Sequence, residues 1–220
     1  MRDMQLVVRL AALVASLACA VPAAAQTVAA SESQWFLGGT GGVAAVQNVG
    51  AAYGGEIGAR LTSRLDVFGE VLGNTNDATR LRIGTAMDVA AALQASQGVT
   101  ATGTVKAPAG LFMGGLRYVF HQSGNLRLFV QGAGGVARVT FQPAFTLAGA
   151  DITTQLSNFG VTLGSDLAGT STKPAFGGGI GLELRRGVWY IGAQIGVVSI
   201  RTPTQPSNVI HATATFGRWF

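Results

Sequence analysis

The sequence predicts an all-β protein, an eight-stranded antiparallel barrel that crosses a membrane with its strands. Three observations predict it. Apolar residues alternate with polar or small ones at period two in successive stretches. Charged residues are only 11% of the 220, against a usual quarter, while hydrophobic residues reach 48% and Gly numbers 32. The connectors between stretches are alternately short and long. This balance excludes a disordered charged tail. The glycines follow no triplet period, which excludes a collagen-like fibre.

Residues 1–25 read as an export signal. Arg2 and Arg9 form a basic start, Leu10 to Val21 an apolar run, and Pro22 breaks it. Ala23-Ala24-Ala25 then supplies the small residues a signal peptidase reads. The run is too short for a comfortable helical span. The expected mature chain starts at Gln26, with a linker over 26–33 and a barrel over 34–220. Cys19 is the single cysteine and falls inside the signal. Disulfides, thiolate zinc sites and cysteine nucleophiles are then excluded from the mature chain.

The strands follow in order. Trp35 to Val43 is glycine-rich and of strand length. Tyr53, Ile57 and Leu61 share a face opposite Glu56 and Arg60. Leu65, Val67 and Val71 oppose Asp66, Phe68 and Glu70. Phe112, Leu116, Tyr118 and Phe120 oppose Arg117 and Val119. Leu126, Leu128 and Val130 oppose Arg127, Phe129 and Gln131. Phe176, Ile180, Leu182 and Leu184 oppose Gly177, Gly179, Gly181 and Glu183. Trp189, Ile191, Ile195 and Val197 oppose Tyr190, Gly192, Gln194 and Gly196. Ile210, Ala212, Ala214, Phe216 and Phe220 oppose His211, Thr213, Thr215 and Gly217. Each run has about the nine residues a tilted strand needs to cross a bilayer.

Tight links are expected around Thr62-Ser63, His121–Asn125 and Arg185–Gly187. The long connectors are 44–50, 74–108, 142–172 and 202–208. A meander with this alternation has one rim of turns and one rim of loops. In the 74–108 loop, Ala86–Ser96 is alanine-rich and predicts a short helix over the loop rim. The 142–172 connector, rich in Thr, Gly and Ser, is expected to carry strand extensions or stay mobile.

Alternation alone does not say which face is outside. A soluble barrel turns its apolar face in; a membrane barrel turns it out. Charge decides. The polar face of Trp189–Ile200 carries none, and most strands carry one or two. Small residues of this kind fit the crowded inside of an eight-stranded barrel. A soluble periplasmic binding barrel is the alternative. On the membrane reading Glu56, Glu70, Glu183, Arg117 and Arg127 share the lumen, with Arg60 and Asp66 as further candidates near the turn rim. Buried charges should pair, as a plug that holds the barrel's shape. A small passive pore is the competing reading.

Little else carries chemistry. The histidines are His121, in a turn, and His211, heading the last strand. His211 with Thr213 and nearby Ser207 is the only candidate for a lipid-modifying enzyme, and no acid is paired with it. Gly39-Thr40-Gly41-Gly42-Val43-Ala44 loosely fits a dinucleotide fingerprint, but no helix signature follows it. No catalytic, cofactor-binding or metal-ligating residue is assigned, and no cofactor is expected. The net charge of +5 is spread along the chain, which argues against nucleic acid. Trp35, Trp189, Tyr118, Phe120, Trp219 and Phe220 lie near strand ends and are expected in an interfacial aromatic girdle.

The export signal, the eight alternating runs, the two unequal rims and the last strand ending in Phe220 give the chain a resemblance. It resembles the small eight-stranded outer-membrane barrels of Gram-negative bacteria, the OmpA-like transmembrane-domain group within the wider porin-like families. The resemblance covers about residues 34–220. It implies short periplasmic turns, long extracellular loops and a place in the outer membrane, in contact with its lipids. It also implies periplasmic chaperones and recognition of Phe216 and Phe220 by the outer-membrane assembly machinery. Arg218 departs from the pattern, which asks for an apolar residue there. The expected role is non-enzymatic, that of a monomer supporting the envelope or making surface contacts (adhesion or ligand contact) through its loops.

Overall fold

The structure is a computed structural model describing residues 35–164, 167–201 and 206–220. The export segment, the linker and part of the 202–208 connector lie outside the described residues.

Ten strands form. They are β1 (Trp35–Ala45), β2 (Val49–Thr62), β3 (Leu65–Asn74), β4 (Ala101–Lys106), β5 (Ala109–Ser123), β6 (Leu126–Leu147), β7 (Ala150–Asp151), β8 (Gly169–Arg186), β9 (Trp189–Ile200) and β10 (Ser207–Trp219). Eight of them close a ring in the order β1-β2-β3-β5-β6-β8-β9-β10 and back to β1, each antiparallel to its neighbours. At the closing seam Thr40 pairs with Thr215, their hydroxyls 3.2 Å apart. At the rim below it, the amide of Phe220 donates to the Trp35 carbonyl at 2.8 Å. Closure leaves the ring no free edge, which a sheet in lipid requires.

The turn rim is as tight as the sequence predicts. Two residues separate β2 from β3, β5 from β6, and β8 from β9. Gly124 and Gly187 begin the last two turns with φ of 54° and 62°, a region open to glycine and costly to most residues. β5 runs on to Ser123 through a register shift between Val119 and His121.

The outside of the ring is greasy and the inside ionic. Ile191 is 60% exposed and Ile195 43%, while Arg127 is 2% and Glu70 8% exposed. That inversion rejects the soluble barrel, whose apolar face would fill the centre. Among the described residues no helix is long and apolar enough to cross a membrane; the strands do the crossing. Exposed Phe112 and Phe120 mark the belt on β5. Eight residues apart, they span about 20 Å along a tilted strand's barrel axis, close to a membrane barrel's apolar band.

On β6 the outward positions pass from Val130 and Val136 to Arg138 and Gln142. The strand leaves the apolar belt there and continues above it. β4 pairs with this extension and β7 with its tip. The helix α1 (Arg80–Gln97) lies against β4 and β6. It is longer than the alanine-rich stretch suggests, because Arg80 to Thr85 carry it back to an extended residue at Thr79. Gly98, at φ 69°, ends it by donating to the Gln94 carbonyl. A 3₁₀ turn over Thr153–Phe159 completes the loop layer. The 142–172 connector therefore carries strand extensions.

Candidate functional site

The lower bore holds the ionic network. Arg117 sits at the centre, its Nη2 2.6 Å from Glu56 Oε2, while its Nε donates to Gln131 Oε1 at 3.1 Å. The Tyr190 hydroxyl donates to the other Glu56 oxygen at 2.9 Å. Phe36, Phe68 and Phe129 surround the same guanidinium, with ring centroids 4.3 to 5.4 Å away.

Nearer the turns is a second cluster. Arg127 Nη2 donates to both Asp66 oxygens at 3.1 and 2.9 Å, and its Nη1 reaches Glu183 at 3.3 Å. Arg185 takes the same Glu183 oxygen at 2.5 Å. Trp219 lies under this cluster, stacked by Arg185 at 3.6 Å, Arg60 at 4.8 Å and Arg127 at 5.5 Å.

The structure thus brings together four of the five sequence-predicted lumen charges, as two clusters. Glu70 faces the lumen too, but it accepts from Gln194 at 3.4 Å and has no ion pair among the described residues. Sequence reading missed Tyr190 and Arg185 in the network, and it misplaced Trp219. Trp219 is 1% exposed and lies inside, not in the outer girdle. The alternation that turns Phe216, Arg218 and Phe220 outward turns Gly217 and Trp219 inward. The other girdle residues, Trp35, Tyr118, Phe120, Trp189 and Phe220, are exposed as expected.

A cavity of about 10 Å³ remains between Glu56, Arg117, Phe129, Glu183, Tyr190 and Gln194. That is room for about one water.

Above the network the bore changes character. Leu72, Leu111, Val198 and Val209 fill it, and the packing continues into the loop layer through Val139, Phe141, Phe145, Leu156 and Leu93 of α1. Two layers of different chemistry therefore pack the bore, ion pairs below and an apolar core above.

The 75–79 link that lifts the chain from β3 to α1 is stitched to the core. Asp77 N donates to the Ala107 carbonyl at 2.8 Å, and Asn76 Oδ1 accepts from the amides of Ala78 and Ala107, each at 3.2 Å. Asn74 Nδ2 donates to Asp77 Oδ2 at 3.1 Å. Burial pushes the Asp77 carboxyl up to about 6, with only the Asn74 hydrogen bond opposing it. The folded chain holds this proton more tightly than the unfolded one. The Asp77 contribution to stability is therefore greatest below about pH 4, falls as pH rises from about 4 to 6, and is level above. Asp77→Asn should flatten that dependence and raise stability at pH 7 by up to about 3 kcal/mol. Urea unfolding in detergent micelles at pH 4 and pH 7 measures both effects.

The enzyme candidates do not converge. His211 and Thr213 are buried on the lumen face, and no hydrogen bond links His211 to Thr213 or to Ser207. Among the described residues no group of His, Cys, Asp and Glu is placed to hold a metal.

No family model matches the chain, and no curated protein matches it. Solved structures do. Neisserial surface protein A aligns over 88% of this chain and 100% of its own, with a TM-score of 0.52 at 10% identity. The chain has the fold of the small outer-membrane β-barrels. Two further solved structures align with lower scores. The N-terminal barrel domain of Pseudomonas aeruginosa OprF covers 84% of this chain and 98% of its own, with a TM-score of 0.43 at 13% identity. Ail, the attachment invasion locus protein of Yersinia pestis, covers 84% and 96%, with a TM-score of 0.44 at 8% identity. Closed antiparallel ring, apolar belt and polar interior are the architecture of outer-membrane proteins, and the outer membrane is where this barrel belongs. Its turn rim, which also carries both ends of the ring, is the periplasmic side of that architecture; the tier of α1, β4, β7 and the 3₁₀ turn is the outer side.

Proposed function

We propose that this outer-membrane barrel is a non-enzymatic surface-contact protein that works through the folded tier above its mouth. One observation carries the reading: the bore is packed in two layers, while the long loops build a packed structure outside the membrane. A barrel filled with ion pairs and apolar side chains offers no path through it. The loops gain an apolar core of their own, which holds α1, β4 and the β6 extension as one presented surface. The barrel acts as a monomer among outer-membrane lipids, and Phe216 and Phe220, exposed on the last strand, serve its assembly.

The test compares the intact protein with a barrel in which 142–172 is replaced by a short turn. Both are expected to migrate differently boiled and unboiled, as closed barrels do. Cells bearing the trimmed barrel should lose attachment to immobilised matrix or glycan surfaces relative to cells bearing the intact one. The purified protein should show no steady conductance in planar bilayers. Steady conductance, or a lipid A profile altered by expression and restored by His211→Ala, overturns the reading.

A further inference from the structure

The periplasmic rim carries an arrangement that neither the plug nor the outer tier uses. Arg186 of β8 pairs in register with Trp189 of β9, and Trp189 pairs with Arg218 of β10. Paired residues share a face, so two guanidiniums flank one indole along a row across three strands. The row faces outward. Trp189 is 47% exposed, and both arginines are exposed. The two arginines stand two inter-strand steps apart, about 10 Å.

The aromatic setting fixes the depth of this row. Trp189 stacks on Phe216 with centroids 5.3 Å apart and planes 7° from parallel. The Arg218 guanidinium lies 5.7 Å from the Trp189 ring and 5.0 Å from the Phe220 ring. Aromatic rings of this kind sit at headgroup level in a membrane barrel. Charge is unbalanced there. Among the described residues neither Arg186 nor Arg218 has an ion pair, and the acids of that end, Asp66 and Glu183, are turned into the lumen and engaged with Arg127. A lipid-facing pair of cations at headgroup depth is placed to meet an anion of the bilayer.

We propose that Arg186, Trp189 and Arg218 form a binding site for an anionic glycerophospholipid of the periplasmic leaflet. The guanidiniums take the headgroup phosphates by charge-assisted hydrogen bonds. Trp189 and Phe216 take the first carbons of the acyl chains. The site gives a reason for the arginine at 218, a position where the barrel family's last strand asks for an apolar residue.

Tryptophan quenching tests this without guessing the lipid's species. The chain has three tryptophans; Trp219 is inside, so a Trp35→Phe protein leaves Trp189 as the one lipid-facing reporter. The full barrel is reconstituted into vesicles of phosphatidylcholine containing either phosphatidylglycerol or phosphatidylcholine brominated near the headgroup end of its chains. Quenching should favour the brominated phosphatidylglycerol by about fivefold at low salt, roughly one guanidinium's worth of surface attraction or more. The preference should shrink with added salt and vanish in Arg186→Gln/Arg218→Gln. Heat-shifted gel migration shows that the double variant is a closed barrel; should it not close, Arg218→Gln alone is expected to lower the preference at least twofold. Equal quenching by both lipids in the Trp35→Phe protein, or a preference unchanged in the variant, overturns the site.

Discussion

Arg127→Gln should destabilise the barrel by about 3–5 kcal/mol. The loss follows from what the substitution leaves behind. Asp66 is 0% exposed and Glu183 1%, and both direct oxygens at the Arg127 guanidinium. Removing one partner of a buried ion pair leaves a charge with neither water nor counterion. Glu183 keeps Arg185, but Asp66 has no other hydrogen-bonded cation among the described residues. Urea titration of the folded barrel in micelles gives the number. Adding Asp66→Asn to the variant should recover most of it, because the stranded charge is then gone. A loss below about 1 kcal/mol would mean that the cluster fills space without holding the ring together.

The seam between β1 and β10 supplies the second large effect. Gly42 pairs with Thr213 across it. A Cβ at Gly42 would stand 2.1 Å from the Ala212 carbonyl oxygen and 2.7 Å from Thr213 Cα. Both are backbone atoms of the partner strand, so relief requires moving the strand. Gly42→Ala should cost about 3 kcal/mol or more, and the unboiled protein should lose its compact gel form. Gly41→Ala is the matched control. A Cβ there meets nothing within 4 Å, and the change should stay within about 0.5 kcal/mol. Equal behaviour of the two variants would remove the close approach as the reason for Gly42.

Much of the fold is legible because period two is a geometric fact of strands. It assigns Ile191 to lipid and Arg127 to the lumen without knowing any neighbour. Carried two residues past Gly217, the same parity places Trp219 inward; the girdle expectation rested on its nearness to the strand end, and parity wins over proximity. What alternation cannot give is height. Whether Arg127 meets Asp66 or Glu70 depends on the stagger of strands around the ring, which no single strand records. The upper layer was illegible for another reason. Phe141 and Phe145 stand where β6 runs past the start of β5 and borders a Thr- and Gly-rich connector, and β4, some forty residues earlier, pairs with that extension. Leu93 joins them from a helix with almost no apolar face of its own to announce it. Such contacts arise from the assembled tier and leave no local pattern.

That tier has an immunological consequence. Its outermost surface is stitched from stretches of chain far apart in sequence, α1 and the β4–β6 ladder among them. An antibody raised on intact bacteria would read a discontinuous epitope, bind living cells, and go blind on a boiled blot. Peptide vaccines copied from a single loop would present the wrong shape, whereas a refolded barrel would present the right one.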